Sequence, residues 1–423
     1  MSIRKRSHII IECVMAVVFV AMTGTMIGIH DAEAIAQAQA VKGKDSTGDR
    51  LVVHEWGTFT SIAGKQGASV EWRPLDGSSD LPGFVYNSNG ITTYAGFRHG
   101  RRCFKCEMEA LIRMETPVLY FYADRETTVS VKVEFPKGTI TEWYPQARMV
   151  YNPDQYNRRN PAIIDWGRFN ILPGANVNFP VENAESHYYP ARETDSAPVR
   201  VCGEKEKQYE KFLFYRGVGM FDVPLSVTLK DDKVAVQNLA RQAVTQIILF
   251  ENRGGKVGYR IIQLPKQAIE FNRPALDGTI ESLHRDLESI LVANGLFEKE
   301  AKAMIKTWRD SWFEEGVRVF YIMPRAVTDT ILPITIEPVP SQLTRVLVGR
   351  IEVITPEMEQ AIRQQIAMLG DSSADVRNEA TRILRKHGRF SEPILKNISQ
   401  ATSDPILKAR IEQIIKSTRV ATE

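Results

Sequence analysis

Histidine and cysteine are scarce in this chain, at 7 and 4 of 423 residues. Two of the histidines, His8 and His30, lie near the N-terminus, which leaves His54, His99, His187, His284 and His387 for the rest of the chain. A mechanism built on several imidazole ligands is therefore short of residues, and neither a resident metal nor a cofactor is expected. The sequence also lacks a phosphate-cradling glycine pattern and a Gly-x-Ser-x-Gly nucleophile turn. The formal net charge is +3, with no long block of one sign, so the basic stripe of a nucleic-acid binder is missing and no nucleic-acid partner is expected. Beyond residue 30 no apolar run reaches the length of a membrane span.

What the N-terminus does contain is a basic start (Arg4, Lys5, Arg6), an uncharged stretch of 17 residues from Cys13 to Ile29, and small-x-small exits at Ala32–Ala34, Ala36–Ala38 and Ala38–Ala40. These are the three parts of a secretory signal, assigned to residues 1–34. Gly24 and Gly28 weaken a long helix there and favour cleavage. An uncleaved anchor is the alternative, and only then would the chain have a membrane partner. Either way the remainder is expected outside the cytoplasm, in the periplasm or secreted.

Residues 35–50 are small and polar and read as a linker. From 51 to 355 the text is strand-like. Val129, Val131, Val133 and Phe135 alternate with polar residues, as do Leu225, Val227 and Leu229, which places one face on a core. Val118–Tyr122 and Ile247–Phe250 are continuous apolar runs, expected to be covered on both faces. Many short strands between Gly, Pro and Asn turns point to a mainly β body, sandwich- or barrel-like. A helical insertion is expected at about 276–315, with one stripe through Ile280, Leu283, Leu287 and Leu291 and a second through Met304, Ile305, Trp308 and Trp312. Residues 356–423 open on Thr355-Pro356, a cap followed by proline. There Val376–Leu384 recurs 31 residues later as Leu407–Ile415. This repeated amphipathic helix resembles a HEAT-type helical repeat, which implies stacking and a surface for a protein partner.

Val53-His54-Glu55-Trp56-Gly57-Thr58-Phe59-Thr60-Ser61 resembles the opening of a group of exported bacterial proteins of unknown function. Arg113–Tyr122, Ala191–Asp195, Phe212–Gly217 and Trp308–Gly316 match further phrases of that group. The resemblance implies that 51–355 is one unit and brings no activity with it.

Three constellations carry possible chemistry. His54-Glu55 offers an acid/base pair, but in a strand the two side chains point to opposite faces, and the second His of a helical zinc site is missing. Cys103 and Cys106, separated by two residues, are expected to form a disulfide outside the cytoplasm; free thiols, or zinc with His99 and Cys202, stay open. A polar cluster of Arg113, Glu115, Arg192, Glu193, Asp195, Arg216 and Arg253 sits in apolar text, so its members either pair off between strands or converge on a cleft. The leading functional reading is an exported binding or structural protein of unknown ligand with a C-terminal protein-interaction tail. The alternative is an exported hydrolase-like enzyme with His54, Glu55, Glu115 and Asp195 as catalytic groups and Arg113, Arg192 and Arg216 as ligand-binding groups.

Overall fold

The computed structural model describes residues 50–75, 81–88, 108–153, 160–182, 185–204 and 206–417. The expected signal, most of the linker, His99, Cys103 and Cys106 lie outside the described residues. Strands are numbered in chain order. The largest sheet has nine, running from edge to edge as β14 (Lys256–Gln263), β13 (Gln246–Arg253), β16 (Gly316–Ile322), β18 (Gln342–Val353), β1 (Leu51–Ala63), β3 (Ile112–Ala123), β10 (Leu213–Gly219), β5 (Gly138–Tyr144) and β2 (Tyr86–Asn87). A six-stranded sheet holds β17 (Ile334–Glu337), β4 (Thr127–Phe135), β7 (Ala162–Ile171), β8 (Val199–Cys202) and β9 (Lys207–Glu210), with β6 (Met149–Tyr151) also on β7. A third sheet comprises β11 (Leu225–Lys230), β12 (Lys233–Asn238) and β15 (Ile269–Asn272).

The alternation read from the sequence decides which face each strand buries. In β4, Val129, Val131, Val133 and Phe135 are buried while the residues between them are partly exposed. These side chains meet Phe121 and Leu119 of β3, Val53 and Phe59 of β1, and Val227 and Val236 of the small sheet in one core. The body is therefore mainly β, with one face of the large sheet packed against the two smaller ones. Runs without alternation are covered on both faces, as expected. Ile247 and Leu249 enter that first core, whereas Ile248 and Phe250 enter a second one on the opposite side.

The second core is roofed by α1 (Ile280–Ala293) and α2 (Glu298–Trp312). Leu283, Leu287 and Leu291 of the first helix and Met304, Trp308 and Trp312 of the second pack on Trp56, Tyr120 and Phe320 of the sheet. Asn294-Gly295 ends α1, Gly295 taking φ +104°. A short α3 (Arg325–Ile331) precedes β17.

The C-terminal helices are α4 (Pro356–Met368), α5 (Ala374–Lys386), α6 (Ser391–Ala401) and α7 (Pro405–Ser417). Thr355 caps α4, its hydroxyl accepting the Met358 N–H. The helices share a core of Ile362, Ile366, Leu384, Leu395, Ile411 and Ile414. Buried charge ties them to the body. Arg73 donates to Glu392 of α6 at 3.0 Å and to the Ile415 carbonyl at 2.8 Å. Arg389, just before α6, reaches Glu352 of β18 at 3.1 Å and also pairs with Glu314. Among the described residues no helix is long and apolar enough to cross a membrane.

Candidate functional site

β1 is the centre of the large sheet, paired in parallel with β18 and antiparallel with β3, and it is buried along its whole length. Its register slips between Trp56 and Thr58, where β3 carries an extra residue around Thr116 (φ +50°) and Pro117. A Cβ on Gly57 would stand 3.0 Å from the Pro117 Cα and from Leu347, so this approach requires glycine.

His54 and Glu55 do point to opposite faces. Glu55, fully buried, receives the Tyr215 hydroxyl at 2.6 Å and the Arg345 guanidinium at 2.5 Å. Arg345 also donates to the Leu332 carbonyl at 2.7 Å and pairs with Asp329 at 2.9 Å. This is a closed ion pair in the sandwich interior, and burial together with the Glu55 carboxylate drives the Tyr215 phenol well above its usual range.

His54 lies on the helix-covered face, and its Nδ1 is 2.8 Å from Oε2 of Glu300. The other ring nitrogen, Nε2, has no hydrogen-bond partner among the described residues and no access to solvent. Glu300 stands at the third position of α2 and is itself fully buried. It takes the Phe297 N–H at 2.7 Å, reaching back over the helix start, and the Tyr122 hydroxyl at 2.8 Å. Burial first, and then the Glu300 charge, raise the Tyr122 phenol far above its ordinary value.

Phe297 lies over the His54 ring at 4.5 Å and meets Tyr122 edge-on at 4.9 Å, and it is 44% exposed. Its other side, with Tyr122, walls an open cleft of about 580 Å³. The cleft's polar lining residues are Arg50, Asp124, Asn176, Thr194, Asp195, Ser196 and Lys211. Thr194 and Ser196 share a hydrogen bond of 2.9 Å, and Lys211 Nζ donates to the Ser196 carbonyl at 2.7 Å. Burial lowers the pKa of Lys211. His54 does not line the cleft; Phe297 and Tyr122, which both touch its ring, do.

The polar cluster of the sequence reading does not converge here. Asp195 reaches the cleft, where it pairs with Lys299 at 2.6 Å, and Glu193 pairs with Lys306 on the surface at 2.6 Å. Arg113 and Glu115 pair with each other at 3.1 Å, and Glu115 accepts from Thr60 at 3.2 Å and faces Arg350 at 3.9 Å. Arg216 faces Glu142 at 3.5 Å, and Arg253 faces Glu251 at 3.4 Å. Arg192 grips buried Glu210 with two nitrogens at 2.7 and 2.9 Å, inside a ring of Phe84, Phe179, Tyr188 and Tyr189. Burial raises Glu210 even against that partner. Cys202 is exposed at the end of β8. Sequence reasoning missed Glu300 and Tyr122 as the partners of His54, and Arg345 as that of Glu55. Phe297-x-x-Glu300 at a helix start was the only local signal for Glu300.

No family model matches the chain, and no curated protein matches it. Among solved structures the chain is similar to the Fcho1 Mu homology domain of Danio rerio with bound Eps15 peptide, at 7% identity and a TM-score of 0.25, over 73% of this chain and 98% of that one. A likeness that loose carries no argument about this chain.

Proposed function

We propose that the chain is an exported binding protein that holds a sugar-like ligand in the Phe297–Tyr122 cleft. The observation that carries this reading is the make-up of the cleft walls. Two aromatic side chains line the same open space of about 580 Å³ as hydroxyls, carboxylates, an amide, an arginine and a lysine. A pyranose has an apolar C–H face for an aromatic ring and hydroxyls for polar groups, so both kinds of lining residue are matched. Binding is favoured over hydrolysis because three of the four sequence-predicted catalytic groups are engaged elsewhere, and the fourth, Asp195, lines the cleft but pairs with Lys299. Glu55 is locked to Arg345, Glu115 pairs with Arg113, and His54 sits behind the two rings.

Saturation-transfer NMR with glucose, N-acetylglucosamine and maltose tests the reading. At least one of these is expected to contact the protein, and Phe297→Ala is expected to abolish the contact. Signals that survive the substitution, or no contact with any of the three, overturn it. Export rests on the signal-like residues 1–34 alone. N-terminal sequencing of the protein from the cell envelope is expected to begin between Ala34 and Val41, and a retained Met1 would show an anchor instead.

A further inference from the structure

A second concavity, of about 450 Å³, lies in the C-terminal helices between α5 and α7. Its base is apolar, formed by Leu369 and Ile414, which are both almost fully buried. Four arginines line it (Arg377, Arg382 and Arg385 from α5, Arg410 from α7), and among the described residues no acidic one does. Arg377 and Arg410 have no carboxylate partner among the described residues. Arg377 donates to the main-chain carbonyls of Asp371 at 2.9 Å and Ser372 at 2.8 Å, and Arg410 donates to the carbonyl of Leu369. Carbonyls fix the guanidiniums in place without neutralising them, and neither arginine pairs with a carboxylate among the described residues. Arg382, by contrast, is paired with Glu379.

We propose that this groove docks a carboxylate-bearing segment of a partner protein. A guanidinium held at one edge keeps its remaining N–H groups free for a carboxylate, and the fork geometry favours two-pronged contact. The apolar base offers a place for a hydrophobic side chain between the acidic ones. The surroundings select for a short segment over an extended polyanion. Asp371, Asp375, Glu379 and Glu412 belong to the same helices and loop, outside the groove lining, and would repel a nucleic-acid backbone or an anionic lipid surface. The inference stands independently of the sugar-binding reading, since it uses none of the same residues.

The test is fluorescence anisotropy on the full chain with a labelled Glu-Glu-Leu-Glu-Glu-Leu peptide. Parallel titrations use a Lys-Lys-Leu-Lys-Lys-Leu peptide, an oligo-dT strand and phosphatidylglycerol vesicles. The acidic peptide is expected to bind, to weaken as salt rises, and to lose about tenfold or more in affinity in the Arg377→Gln/Arg410→Gln double variant. Because those arginines also hold carbonyls, a second variant leaves both in place. Asn378→Asp with Gln413→Glu adds two negative charges to the exposed groove lining and is expected to weaken the same peptide while the circular dichroism stays unchanged. Absence of acidic-peptide binding overturns the proposal. So does binding that is indifferent to the second variant, or tighter binding of the DNA or the vesicles.

Discussion

Single residues in this protein fall into two energetic classes that look alike in the sequence. Glu300 and Asp195 are both acids near the same aromatic rings, yet Glu300 is fully buried and accepts from three donors, whereas the Asp195 side chain is 71% exposed and pairs with the exposed Lys299. Removing a buried acceptor strands its donors, while removing an exposed partner returns the other to water. Glu300→Ala is therefore expected to lower unfolding free energy by about 3–5 kcal/mol, and Asp195→Ala by less than about 1 kcal/mol, in urea titrations. Equal effects would mean that the His54–Glu300–Tyr122 cluster adds nothing to holding α2 on the sheet. The residue types could be singled out from the sequence, but their partners could not. His54 meets an acid 246 positions away, and the acid next to it in the chain is on the other face.

At the scale of elements, the strand and helix text was legible wherever one face is wet. The alternation in β4 and β11 and the stripes of α1 and α2 predicted their burial directly. What the pattern did not disclose was how the C-terminal helices meet the body, because charged residues carry that contact. Glu352 of β18 is the hub, facing Arg318 at 3.0 Å and both Arg350 and Arg389 at 3.1 Å. Burial by itself would raise its pKa, but the three guanidiniums outweigh that and hold it at about 2, below the ordinary 4.5. A depressed carboxylate contributes stability that is complete above its unfolded pKa and is lost as pH falls toward the folded one. Unfolding free energy should accordingly drop between about pH 4.5 and pH 2. Glu352→Gln is expected to be less stable at neutral pH and to show a shallower acid slope, by urea titration at a series of pH values. Parallel acid slopes in the two proteins would show that Glu352 is not the group responsible.

Across the molecule, the described residues between 50 and 417 cluster as one compact unit. Two distant stretches of chain make its central contact. β1 lies between β3 and β18, so the middle of the large sheet is incomplete until residues near 350 are available. Such non-local pairing closes long loops and is slow to form. The C-terminal helices have their own apolar core but share ion pairs with β18 and with Arg73, so loosening one part exposes unpaired charge in the other.

The sequence by itself determined the mainly β body, the inserted pair of helices and the amphipathic C-terminal helices, because burial on one side of a strand or helix writes a period into the chain. It also required His54 and Glu55 to part company, since neighbours in a strand cannot share a face. Only the tertiary structure decided that Arg113, Arg192 and Arg216 close separate ion pairs, that Phe297 screens His54 from the cleft, and that the arginines of α5 and α7 share one groove. Those outcomes depend on which strands and helices become neighbours in space. Pairing set by tertiary contact, such as that of His54 with Glu300 246 positions away, leaves no periodic trace in a single sequence.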